Sequence, residues 1–152
     1  MVKSLFDVGL SALSDTFENM AFQEVLPIDD TVDPWSELDA VASSVQLKSP
    51  INAEITFIVP KDLAEQIIDD LYGFDAEHND SVRKDTINEL VNTIAGDLVH
   101  GLDKQCNFIL GLPHFEETTF PAQGQTEDLL VYQINQAPCA LKLQGDFASL
   151  EK

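Results

Sequence analysis

The sequence predicts an α+β fold, a mainly antiparallel sheet packed against two long helices, and three observations carry that prediction. Apolar residues recur at helical spacing in three segments and in short β-type runs in five. Their order is helix, two strands, helix, helix, three strands, which does not alternate as a parallel α/β sheet must. Finally, 44% of the 152 residues are apolar, enough for one sizeable core, so residues 1–152 are expected to form a single domain.

Phe6, Leu10, Leu13, Phe17 and Met20 share one helix face across residues 3–24, with Asp7, Ser11, Ser14 and Glu18 opposite. This first helix should stop near Pro27. Residues 28–40 read as an acidic connector holding Asp29, Asp30, Asp33, Glu37 and Asp39, with Trp35 as a candidate anchor to the domain. Val41–Leu47 and Ala53–Val59 are β-type runs separated by Ser49-Pro50, and the pair reads as a hairpin. Pro60 opens a helical pattern through Leu63, Ile67, Ile68 and Leu71 that ends at Gly73. After a polar loop, Asp80 or Ser81 can cap a second long helix running to Gly101 or Leu102. Three β-like runs follow, Asn107–Leu112, Asp128–Asn135 and Ala140–Gln144, the first two separated by a Gly/Pro/Thr-rich loop at about residues 113–126.

Composition removes several function classes. Acidic residues number 27 against 8 basic ones, the formal net charge is −19, and Arg83 is the sole arginine. No basic stripe can be assembled to neutralise nucleic-acid phosphates or to hold an anionic membrane surface. No apolar run approaches the roughly 18 residues that span a bilayer, and the N-terminus lacks the pattern of a secretory signal, so a cytoplasmic location is expected. Cys106 and Cys139 make no metal or redox motif with each other and are expected to be buried thiols. His78, His100 and His114 fall at no zinc-binding spacing, and Asp29, Asp30 and Asp33 lack the glycine and closing glutamate of an EF-hand, so no metal site is expected in this chain.

The second long helix has an unusual outer face. At about 100° per residue, Leu90, Val91, Ile94, Leu98 and Leu102 fall within roughly 60° of Ile87 and form a core-facing stripe. Asp85, Glu89, Asn92 and Gly96 fall between roughly 140° and 200°, along the solvent edge for about three turns. A glycine inside a helix costs about 1 kcal/mol relative to alanine, and no cap explains Gly96. Either this edge is an ordinary solvated face with Gly96 packed against a neighbouring loop, or another chain approaches the helix backbone there.

The segment Asp85-Thr-Ile-Asn-Glu89-Leu-Val-Asn92-Thr-Ile-Ala-Gly96, followed by the strand Phe108-Ile-Leu-Gly-Leu-Pro113, resembles the CheX branch of the CheC/CheX phosphatases of bacterial chemotaxis. The shared features are an E-x-x-N motif, a glycine four residues after its asparagine, and a strand ending in Leu-Pro. The helix ending Phe17-Glu18-Asn19-Met20-Ala21-Phe22-Gln23-Glu24-Val25 is also similar to the first helix of CheX-like proteins. That helix has no E-x-x-N of its own, so at most one site per chain is expected, as in the CheX type, where the CheC type carries two.

The resemblance implies a CheC-like fold, a homodimer, and hydrolysis of the phosphoaspartate of a CheY-like receiver domain. Mg²⁺ would sit in that partner, and this chain would bind no cofactor. It assigns Asn92 to holding the attacking water and Glu89 to pairing with the receiver's active-site lysine. Asp85 would contact the partner, and on steric grounds Gly96 would leave room for the receiver's backbone. The alternative is a non-catalytic receiver-binding or flagellar-switch-type module on the same fold.

Overall fold

A computed structural model describes residues 5–20, 25–27, 39–49, 51–73, 77–102, 107–119, 129–134, 137–145 and 147. Ten elements follow one another: α1 (Leu5–Met20), β1 (Val25–Pro27), β2 (Asp39–Ser49), β3 (Ala53–Pro60), α2 (Lys61–Tyr72), α3 (Asp80–Leu102), β4 (Ile109–Leu110), β5 (His114–Thr119), β6 (Leu129–Ile134) and β7 (Ala137–Gly145). The strands form one sheet in the order β1-β6-β7-β3-β2-β4, with β5 also paired to β2, and every pairing is antiparallel. The α+β class and the predicted β2–β3 hairpin are therefore both present.

Side-chain alternation decides which face of the sheet the helices cover. Val41, Val45 and Leu47 of β2, Ile55, Phe57 and Val59 of β3, and Leu141 and Leu143 of β7 join the main core with residues of all three helices. Each such aliphatic side chain contributes about 1.5–3 kcal/mol when fully buried. The opposite face is not bare. Ala40, Ala42, Ile58, Leu129, Val131 and Ala140 form a smaller buried cluster there, and all six residues of β6 are buried. A strand shielded on both faces loses the polar/apolar alternation that reveals a one-sided strand.

Several sequence expectations need correction. The segment expected to be loop at 113–126 contains β5, which pairs Ser43 with Phe115 and Val41 with Glu117 on the sheet edge. β5 shows no apolar alternation because Phe115 and His114 are followed by Glu116, Glu117, Thr118 and Thr119, all exposed. Charge on an edge strand discourages pairing with other chains, and it also erases the strand signal. A second unpredicted strand, β1, covers three residues where the first helix was expected to run out, too few to display a period. The predicted strand at 107–112 shrinks to Ile109–Leu110, while the last one extends back to Ala137 and on to Gly145. Pro138 is tolerated within it because β3 pairs with β7 only from Ala140 onward. The acidic connector lies outside the described residues except for its last two, Asp39 and Ala40, which belong to β2. Trp35 and Cys106 also lie outside them.

The first helix buries a broader face than its large apolar residues indicated. Val8, Gly9, Ala12 and Thr16 are buried together with Leu13 and Phe17. Small residues on that face let two neighbours come close: a methyl group at Gly9 would overlap the Tyr132 hydroxyl of β6, and one at Gly101 of α3 would lie 2.9 Å from Val8 Cγ1. None of the described helices is long and apolar enough to cross a membrane.

Gly9→Ala should therefore destabilise the fold by about 1–3 kcal/mol through overpacking, although helix propensity alone favours alanine by about 1 kcal/mol. Denaturant unfolding of this variant, and of Gly9→Ala combined with Tyr132→Phe, checks it. The double variant should recover part of the loss, and a rise in midpoint for Gly9→Ala alone would show that the hydroxyl is not seated there.

Candidate functional site

α3 is the element that presents the candidate residues, and its local sequence explains where it starts. The Asn79 side chain accepts a hydrogen bond from the Val82 backbone N–H at 2.9 Å, which makes Asn79 the N-cap in place of Asp80 or Ser81. From there 23 residues remain helical. Ile87, Leu90, Val91, Ile94 and Leu98 are all 0% exposed and Leu102 is 9% exposed, so the predicted stripe is the face laid on the sheet.

One polar contact fixes the roll of the helix on that sheet. Ser43, fully buried in β2, donates from its hydroxyl to Asn88 Oδ1 at 2.6 Å. Asn88 immediately precedes Glu89. A buried hydroxyl left without this partner would cost about 1–3 kcal/mol, so a rotation of α3 that broke the bond is penalised. On the far flank, Thr16 Oγ1 of α1 donates to Asp97 Oδ2 at 3.3 Å, and burial pushes the Asp97 carboxyl above its ordinary range.

With its roll set this way, α3 exposes Asp85, Glu89 and Asn92 and leaves Gly96 half-buried, all four along one edge as the helical wheel predicts. His100 continues that edge and is exposed. Its ring meets Phe108 edge-on, with centroids 6.1 Å apart. Thr93 Oγ1 donates to the Glu89 carbonyl at 3.0 Å, a bond within the helix that leaves the Glu89 carboxylate free to face solvent. Among the described residues, no group of three or more His, Cys, Asp or Glu could hold a metal ion.

Sequence reasoning missed the charged network at the start of α3. The His78 ring bonds Glu65 through Nδ1 and Asp69 through Nε2, the latter at 2.7 Å. Arg83 donates from Nε to Glu65 at 2.6 Å and from Nη1 to Asp80 at 2.7 Å. Burial alone would raise the Glu65 pKa, but hydrogen bonds from His78 and Arg83 together hold it below the usual carboxylate range. His78 is raised, chiefly by its hydrogen bond to Glu65 and then by that to Asp69. The available signal was the pair Glu65 and Asp69, one turn apart on α2, in a chain with a single arginine.

These elements have known counterparts. The family described as Chemotaxis phosphatase CheX matches residues 41–119, from β2 through β5. The chain belongs to the CheX family. No curated protein matches the sequence. Among solved structures, CheX from Desulfovibrio desulfuricans is similar at a TM-score of 0.73 and 17% identity, over 93% of this chain and 99% of that one. A CheX–CheY–BeF3–Mg²⁺ complex from Borrelia burgdorferi is similar at a TM-score of 0.60 and 15% identity, over 93% and 97%. Thermotoga maritima FliY is similar at 0.64 and 12%, over 96% and 89%. At such identities the likeness is one of fold, and the CheC-like architecture is shared by all three.

The His78 network gives a signed pH dependence. A histidine with a raised folded pKa stabilises fully below its unfolded value, about 6.5, and that stabilisation disappears as pH rises through the folded pKa. The lowered Glu65 acts in the other direction: its contribution is present above about 4.3 and is lost as pH falls through its folded pKa. The stability gap between wild type and His78→Gln should therefore be widest between about pH 5 and 6.5 and shrink at higher pH. Unfolding midpoints across pH, with an NMR titration of the ring, test this; a gap that widens above neutrality contradicts it.

Proposed function

We propose that this protein dephosphorylates the phosphoaspartate of a CheY-like receiver domain, with Asn92 placing the water and Glu89 docking the partner. One observation carries the reading beyond family membership: Glu89 and Asn92 stand exposed one turn apart on a helix whose opposite face is completely buried. A rigid helix edge can enter a partner's pocket without the ordering cost of a loop.

In this reaction the water oxygen bonds to phosphorus, the bond between phosphorus and the aspartyl oxygen breaks, and inorganic phosphate leaves with the receiver's carboxylate restored. An amide is no general base near neutral pH. Asn92 can instead hydrogen-bond the water and hold it in line, which suits a transfer limited by positioning and charge stabilisation. Mg²⁺ in the receiver would carry the developing charge. Glu89 offers a carboxylate to the receiver's lysine, a charge-assisted hydrogen bond that favours the docked complex. The absence of any lysine or arginine along the Asp85–Gly96 edge disfavours a free small phosphate ester as substrate.

The likeness to FliY favours one other reading, a non-catalytic module of the flagellar-switch type that binds its partner without turnover. The two readings separate on Asn92. With receivers phosphorylated by a small-molecule donor in Mg²⁺, Asn92→Ala should slow phosphate loss by about 100-fold while receiver binding is largely kept. Glu89→Ala should weaken binding by roughly tenfold. If the wild-type protein speeds dephosphorylation of no receiver yet binds one, the phosphatase reading fails and the module takes its place.

A further inference from the structure

Resting on the receiver reading above, we infer that the corner formed by Gly96, His100 and Phe108, one turn beyond Asn92, is the second contact point of the docked receiver. The backbone of a receiver loop packs directly on bare helix at Gly96, and the Phe108 ring forms one wall of the seat.

The three glycines within α1 and α3 make the case. Gly9 and Gly101 are each required by this chain's own packing, because a Cβ would collide with the Tyr132 hydroxyl in the first case and approach Val8 Cγ1 to 2.9 Å in the second. Gly96 has no such reason. Among the described residues the one atom within 4 Å of a Cβ there is Phe108 Cζ, at 3.7 Å, an ordinary van der Waals contact. Alanine would fit this position and make a better helix. A glycine that costs helix stability and clears no internal neighbour clears space for another molecule.

Charge selects the same end of the edge. Its first half carries Asp85 and Glu89, but the positions that follow on that edge, Asn92, Gly96 and His100, carry no carboxylate. Asp97, adjacent in sequence, is turned toward Thr16 of α1. A receiver pocket is ringed by the carboxylates that hold its Mg²⁺, so an acidic partner is tolerated best where this chain is neutral. Ile109, following Phe108, is 59% exposed and extends the apolar border of the corner. The occupant that meets these conditions is the acidic rim of the receiver already engaged by Glu89 and Asn92.

The test uses the full chain and receiver domains of the same organism held in the active state with beryllofluoride and Mg²⁺. Gly96→Ala should melt no lower than wild type yet bind the activated receiver about tenfold more weakly, with Gly96→Leu weaker still. Turnover at saturating receiver should fall far less than affinity, because Asn92 is untouched. Wild-type affinity in Gly96→Ala would overturn the inference and leave the phosphatase reading standing. A receiver that binds but is not dephosphorylated would sink the phosphatase reading, and the Gly96→Ala affinity would still decide the contact. If no receiver binds the wild-type protein, the inference falls with its occupant.

Discussion

The roll of α3 on the sheet is the constraint on which the rest of the structure depends. A helix 23 residues long has one buried face and one free face, and a turn of roughly 100° about its axis would exchange a leucine for a glutamate. Apolar burial sets the roll broadly, since Ile87, Leu90, Val91, Ile94 and Leu98 are wholly inaccessible. The hydrogen bond from Ser43 to Asn88 sets it more sharply, because it is directional where hydrophobic burial is not. Glu89 and Asn92 inherit their orientation from these contacts and need none of their own.

Charge works differently in this chain. At a net charge of −19, long-range self-repulsion opposes compaction, and the described ion pairs all belong to one network that joins α2 to the start of α3. Arg83 is the buried member, and its guanidinium bridges Glu65 and Asp80. The network therefore spends the sole arginine on anchoring the N-terminal end of the functional helix and leaves the exposed edge without a cation. That choice shapes partner recognition: an edge free of positive charge cannot grip phosphate by itself and depends on a partner that brings its own Mg²⁺ and lysine.

Much of this was legible from residues alone, for physical reasons that can be named. α3 was readable because its apolar period persists over many turns, and α2 because Pro60 and Gly73 mark both ends; Gly73 takes a φ of 93° and donates its backbone N–H to Asp69 O. β5 was not readable, because an edge strand guarded by Glu116 and Glu117 has the composition of a loop. β1 was too short, and the second buried face of β6 blurred its boundaries. At the site, the exposed line from Asp85 to Gly96 followed from helix geometry. The contacts that hold it in place, Ser43 with Asn88 and His78 with Glu65, join residues far apart in sequence, and no local period records them.

The two flanks of α3 complete the picture by exclusion. α1 lies against one flank closely enough that Gly101 is needed opposite Val8, and Thr16 reaches Asp97 there. β2 holds the other side through Asn88, with β5 beyond it at the sheet edge. A partner that needs a straight, rigid surface bearing both a carboxylate and an amide thus has one strip of α3 to use, between the α1 contact and the edge strand. Rigidity there has an energetic consequence. The side chains of a helix edge lose little further backbone freedom on docking, so even a modest number of contacts can place a water accurately without giving a long-lived complex. An acidic chain meeting an acidic pocket is suited to that regime, since repulsion limits residence time while the local pairing of Glu89 with a cation fixes the geometry.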